Sequence, residues 1–155
     1  MECADLSRSS ALTRFQLRVD RPDDLSIVIT LLRETLSTIS SPVFSELVLK
    51  LEGCPMENHF LCFVSGEVVW GSEWGMIDRD LDDRVCLMGR DIRLVIQVGA
   101  GGGVWTPKLG EIVGDVFPLM SARGLVSVVQ IAKMTIRARE YAVRSAQKIN
   151  SIAHG

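Results

Sequence analysis

The stretch LSIVITLLRETLSTISSPVFSELVLKL, Leu25–Leu51, decides how this chain folds. Its first half sets Leu25, Val28, Leu32 and Leu36 on one face at helical spacing, and Ile29 and Ile39 widen the stripe. A stripe this broad suits a helix laid along a sheet better than a narrow coiled-coil seam. Ser40-Ser41-Pro42 then breaks the pattern, because proline disfavours helical geometry at the residue before it. The second half, Phe44 to Leu51, reads as a short strand over Glu46–Leu51. Helix, small-residue break and strand make one unit.

The unit recurs. Trp74, Ile77, Leu81, Val85 and Met88 keep helical spacing, Gly89-Arg90 interrupts, and Ile92, Leu94, Ile96 and Val98 alternate as a strand. Leu109–Ala122 places Ile112, Val113, Val116, Phe117 and Met120 on a helix that Pro118 makes irregular. Arg123-Gly124 ends it, and Leu125–Ile131 follows with apolar residues on both faces, the pattern of a strand inside a parallel sheet. Upstream, Arg14–Val19 alternates with Phe15, Leu17 and Val19 on one face, and Asp23 or Asp24 is placed to cap the next helix.

Strands separated by helices imply right-handed crossovers and a parallel sheet. The expected fold class is therefore α/β, an irregular repeat array of parallel strands alternating with helices, in which each unit covers its apolar face with a neighbour. Residues 1–12 read as a frayed N-terminus, 13–131 as a partial array, and 132–155 as a basic helical cap or tail.

With 155 residues and 47% hydrophobic content, one domain with a sizeable core is expected. A net charge of −2 excludes an electrostatic case for nucleic acid. The charge is uneven: Lys133, Arg137, Arg139, Arg144 and Lys148 against Glu140 give +4 after residue 132, leaving −6 before it. No apolar run approaches the roughly 20 residues of a membrane span, so no membrane association is expected. Residues 1–20 carry Arg8, Arg14 and Arg18 and no continuous apolar core. Cys3, Cys54, Cys62 and Cys86 are therefore read as reduced thiols of a cytoplasmic or nuclear protein.

The run Leu31-Leu-Arg-Glu-Thr-Leu-Ser-Thr-Ile-Ser-Ser-Pro-Val-Phe-Ser-Glu-Leu-Val-Leu, with Trp74-x-x-Ile-Asp78-x-x-Leu81 after it, resembles the C-terminal leucine-rich-repeat-like region of basidiomycete-type F-box domain proteins. The similarity covers about residues 13–131 and does not include a Leu-Pro-x-Glu stretch of the F-box kind. The resemblance implies a substrate-recruiting array for a ubiquitin-ligase adaptor. An unprotected end repeat in such an array invites self-association.

Four constellations invite a chemical reading and have a plainer one. Gly99-Ala-Gly-Gly-Gly103 lies between strand and helix, where a phosphate loop would sit, but Val104 occupies the position that needs the last glycine of a dinucleotide fingerprint. A flexible connection is the better reading. Asp78-Arg-Asp80-Leu-Asp82-Asp83 opens like a calcium loop, but Asp83 and Gly89 stand where glycine and glutamate are required. Acidic residues on a solvated helix face explain it better. Cys54, His59 and Cys62 supply three zinc-type ligands without a second short pair, and Cys86 or Glu57 would complete the set only through folding. The Cys62–His59 couple has no assignable orienting carboxylate or oxyanion loop, so nucleophilic catalysis is not expected.

Function is accordingly read as a non-enzymatic protein-interaction module without cofactor or metal, binding a protein partner through its strand face and connecting loops. Trp70 and Trp105 are the candidate partner anchors, with Phe60 and Phe63 beside them, while Trp74 fits the core stripe. The alternatives are a small nucleotide-binding α/β enzyme using Gly99–Gly103, or a gene fragment without independent function.

Overall fold

The computed structural model describes residues 4–20, 25–52, 59–64, 67–70, 73–98 and 107–130. Their elements are β1 (Arg14–Val19), α1 (Leu25–Thr38), β2 (Glu46–Leu51), β3 (Leu61–Val64), β4 (Glu67–Trp70), α2 (Trp74–Met88), β5 (Arg93–Val98), α3 (Pro107–Val116), α4 (Pro118–Ala122) and β6 (Val126–Gln130). The fold is α/β, as expected: β1, β2, β5 and β6 form a parallel four-stranded sheet alternating with helices.

The strand order β1-β2-β5-β6 never reverses. Each right-handed crossover therefore moves in the same direction, which stacks the connecting helices on one face. Contacts of α2 with α1, α3 and α4 fit that single layer. Register aligns Phe15, Leu47, Leu94 and Val126 in one row across the sheet, and Leu17, Leu49, Ile96 and Val128 in the next. Leu47, Leu49, Leu94 and Ile96 have no solvent exposure, and the edge-strand members of both rows pack against the same core.

The helix ends follow from local chemistry. Gly89 adopts φ 61° and donates its N–H to the Val85 carbonyl at 3.0 Å, the left-handed stop that a side chain would strain. Proline at residue 118 permits a new helix start, and the chain turns at Phe117 between α3 and α4. The irregularity expected there is a full break.

Two expectations are corrected, and the stretch after β2 gains an element. Leu125–Ile131 was expected inside the sheet; within the described residues β6 is its margin, and Ser127 and Val129 are exposed. Apolar residues on both faces reflect β-propensity there, not burial on both sides. The stretch after β2 contains an antiparallel hairpin, β3 with β4, in a separate two-stranded sheet. Finally, residues 4–12 are tied down rather than frayed. The Leu6 N–H donates to Thr38 Oγ1 at 2.9 Å, Ser40 Oγ donates to the Ser7 carbonyl at 2.8 Å, and Ser41 Oγ to the Ser10 carbonyl at 3.0 Å. The serines and threonines that end α1 also bind this segment, and Leu6 and Leu12 pack on the core. The basic tail 132–155 lies outside the described residues.

Candidate functional site

Side chains alternate across a strand, so the residues between the buried rows face away from the helices. Register assembles them into three rows: Arg14, Glu46 and Arg93; Gln16, Val48, Val95 and Ser127; then Arg18, Lys50, Gln97 and Val129. This face lies outside the core cluster that the helices share with Leu47, Leu49, Leu94 and Ile96. Its middle row is neutral, with Val48 buried and Val95 half-buried. The flanking rows are charged and wetter.

The charges are paired within the face. Glu46 meets Arg14 Nε at 3.0 Å and Arg93 Nη2 at 3.5 Å. Arg18 reaches Asp20 at 2.6 Å and Glu52 at 2.7 Å, and Lys50 meets Glu52 at 2.8 Å. The hydrogen bond and charge of Asp20, with Glu52 behind it, hold the Arg18 guanidinium even more firmly protonated than usual. Exposed pairs of this kind add little stability. Their consequence is a patterned surface.

The helix layer handles its polar groups differently. Asp78 is buried within α2 and accepts the backbone N–H groups of Leu119 and Met120, both at 2.9 Å. A carboxylate from α2 thereby caps the N-terminus of α4. The solvated acidic face expected for Asp78–Asp83 is thus corrected at its first member. Asp80 forms a forked contact with Arg33 of α1, and Asp82 pairs with Arg123 at 2.5 Å. Arg84 donates to the Leu36 and Ile39 carbonyls at the end of α1. Burial lowers the proton affinity of its guanidinium, and the charge of Asp80 opposes that shift. An open furrow of about 550 Å³ between α1 and α2 is lined by Thr30, Arg33, Glu34, Ser37, Asp80 and Arg84. Its ion pair and cap contacts mark it as a helix–helix seam.

The proposed partner anchors separate. Phe60 is fully buried, its ring 5.9 Å from Trp74 and 6.0 Å from Phe117 in edge-to-face contacts. That burial removes it from the surface set, because its ring is enclosed in one aromatic cluster with Trp74 and Phe117. Trp74 is core, as its spacing indicated, and its indole N–H donates to the His59 carbonyl at 2.8 Å. Phe63 and Trp70 fall on β3 and β4, whose side chains lie outside the described residues, as does Trp105. Gly99–Gly103 is also outside them.

His59 is buried, and desolvation pulls its imidazole below the ordinary value, opposed by a hydrogen bond with the Glu52 backbone and the charge of Asp20. Cys54 and the Cys62 side chain lie outside the described residues. Among the described residues, no three His, Cys, Asp or Glu side chains gather into a metal-holding group, and no helix is long and apolar enough to cross a membrane. Sequence reasoning missed the row pattern of the open face because only strand register brings Arg14, Glu46 and Arg93 together. Alternation within each strand was the available signal. Comparison with known proteins finds no matching family model, no matching curated protein and no matching solved structure.

Proposed function

We propose that this chain is a non-enzymatic protein-interaction module, an irregular leucine-rich-repeat-like array that holds a protein partner on its open sheet face. In the resemblance to F-box proteins, the role would be substrate recruitment for a ubiquitin ligase. The observation carrying the reading is the unreversed strand order β1-β2-β5-β6. It segregates the helices to one side and leaves a patterned strand surface on the other, the arrangement that repeat arrays use for extended contacts. A doubly wound nucleotide enzyme instead relies on a reversal of strand order, which opens a crevice at the strand ends. The described strands contain no reversal.

Cross-linking capture from host-cell extract tests the reading, comparing the chain with Ser127→Trp/Val129→Trp on the open face and Arg79→Glu on the exposed side of α2. Selective loss of the same partner from the first variant is expected, with melting behaviour unchanged. Capture of nothing by the parent chain, retention by all variants, or measurable titration with ATP or NAD would overturn it.

A further inference from the structure

We infer that Arg14, Glu46 and Arg93 form an anchor for one carboxylate of an acidic partner segment, an inference that rests on the interaction reading above. These residues begin β1, β2 and β5 and lie side by side in register. One carboxylate is shared between two guanidiniums: Glu46 Oε1 with Arg14 at 3.0 Å, and Oε2 with Arg93 at 3.5 Å. The carboxylate is only 20% exposed, whereas the arginine side chains are 50% and 68% exposed. The positive groups therefore stand outermost, and two of them against one acid leave a charge of +1. Each guanidinium carries five N–H donors, so contact with Glu46 leaves donors for a second carboxylate.

The surroundings favour an acidic occupant at this place. In the other charged cluster of the face, Arg18 and Lys50 are matched by Asp20 and Glu52. In the turn before β5, Arg90 donates to the Pro42 carbonyl and Asp91 follows it with the opposite charge. On the helix side, Glu34, Glu73, Asp80, Asp82, Asp83, Glu111 and Asp115 still outnumber Arg33, Arg79, Arg84 and Arg123 among the described side chains, with Arg33 and Arg123 paired to Asp80 and Asp82. An acidic segment is repelled there and drawn to the strand starts. Strands spaced about 4.8 Å apart put the β1 and β5 backbones about 10 Å from each other, so one carboxylate above Glu46 is within reach of both long side chains. The adjoining row of Gln16, Val48, Val95 and Ser127 is uncharged, which suits an uncharged residue next along an extended segment. A single surplus charge is too little for a nucleic-acid backbone, which is held by many phosphate contacts.

Fluorescence anisotropy on the full chain, with a labelled glutamate-rich peptide and its all-glutamine counterpart, tests the anchor. The glutamate peptide should bind and the glutamine peptide should not. Arg14→Gln/Arg93→Gln should weaken binding about tenfold, as should high salt, while Arg79→Gln on the exposed side of α2 leaves it unchanged. Equal binding of both peptides, or full affinity in the double variant, would sink the anchor. The capture experiment separates the two readings. A partner lost with Ser127→Trp/Val129→Trp but kept with Arg14→Gln/Arg93→Gln overturns the anchor alone, and a partner kept by both overturns both.

Discussion

The two faces of the same four strands do opposite jobs. Leu47, Leu49, Leu94 and Ile96 point into the helix layer and are wholly removed from water. One residue away on the same strands, Glu46, Lys50, Arg93 and Gln97 carry charge or polarity on the other side. The helix side spends its polar groups on fixing elements to one another, as with Asp78 on α4 and Arg84 on α1. The open side pairs its charges laterally, in solvent. Polar residues under the helices should thus be structural, and those on the open face dispensable for folding.

Trp74→Ala should break the comparison most severely. It empties the aromatic contact with Phe60 and Phe117 and removes the hydrogen bond to His59, at a cost of about 3–5 kcal/mol in denaturant unfolding. Asp78→Ala comes next, at about 2–3 kcal/mol, because it strands two N–H groups at the start of α4. Asp78→Asn should recover part of that loss, since an amide oxygen still accepts, and hydrogen exchange at Leu119 and Met120 would locate the effect. Rapid exchange in Asp78→Ala confined to β1 would contradict this assignment.

A smaller effect should appear with pH. His59 is held below its ordinary value in the folded chain, so the unfolded chain binds the proton first. Stability from this residue is complete above about pH 6.5 and declines as pH falls below it toward the folded value. Melting curves between neutral and mildly acidic pH should show that slope, and His59→Leu should flatten it. A slope of opposite sign refutes the buried neutral imidazole. Least of all, Arg18→Ala should leave the melting temperature unchanged, because its partners Asp20 and Glu52 keep access to water. A marked destabilisation there would erase the distinction between the faces.

Much of this was legible in the chain. The bounds of α2 follow from Trp74, Ile77, Leu81 and Val85 and from the glycine that stops the helix. Leu94, Ile96 and Val98 marked β5 with the same clarity. The hairpin was obscured because Phe60–Val64 is too short a run to distinguish strand from helix by period. Phe60 looked like a surface anchor because a loop aromatic is ambiguous until its neighbours are known. Asp78 looked solvated for the same reason: its partners are the N–H groups of Leu119 and Met120, more than forty positions along the chain.

By itself the sequence determined the helices and the strands of the main sheet, and that those strands lie parallel with helices between them. Periodicity and stop signals act over a few neighbours, so local physics suffices for them. Tertiary structure alone decided the unreversed strand order, the marginal position of β6 among the described strands and the capping of α4 by a distant carboxylate. It also brought Arg14, Glu46 and Arg93 onto one surface. Each of these depends on register between distant segments, and burial of the shared apolar face selects that register only once the whole chain has packed.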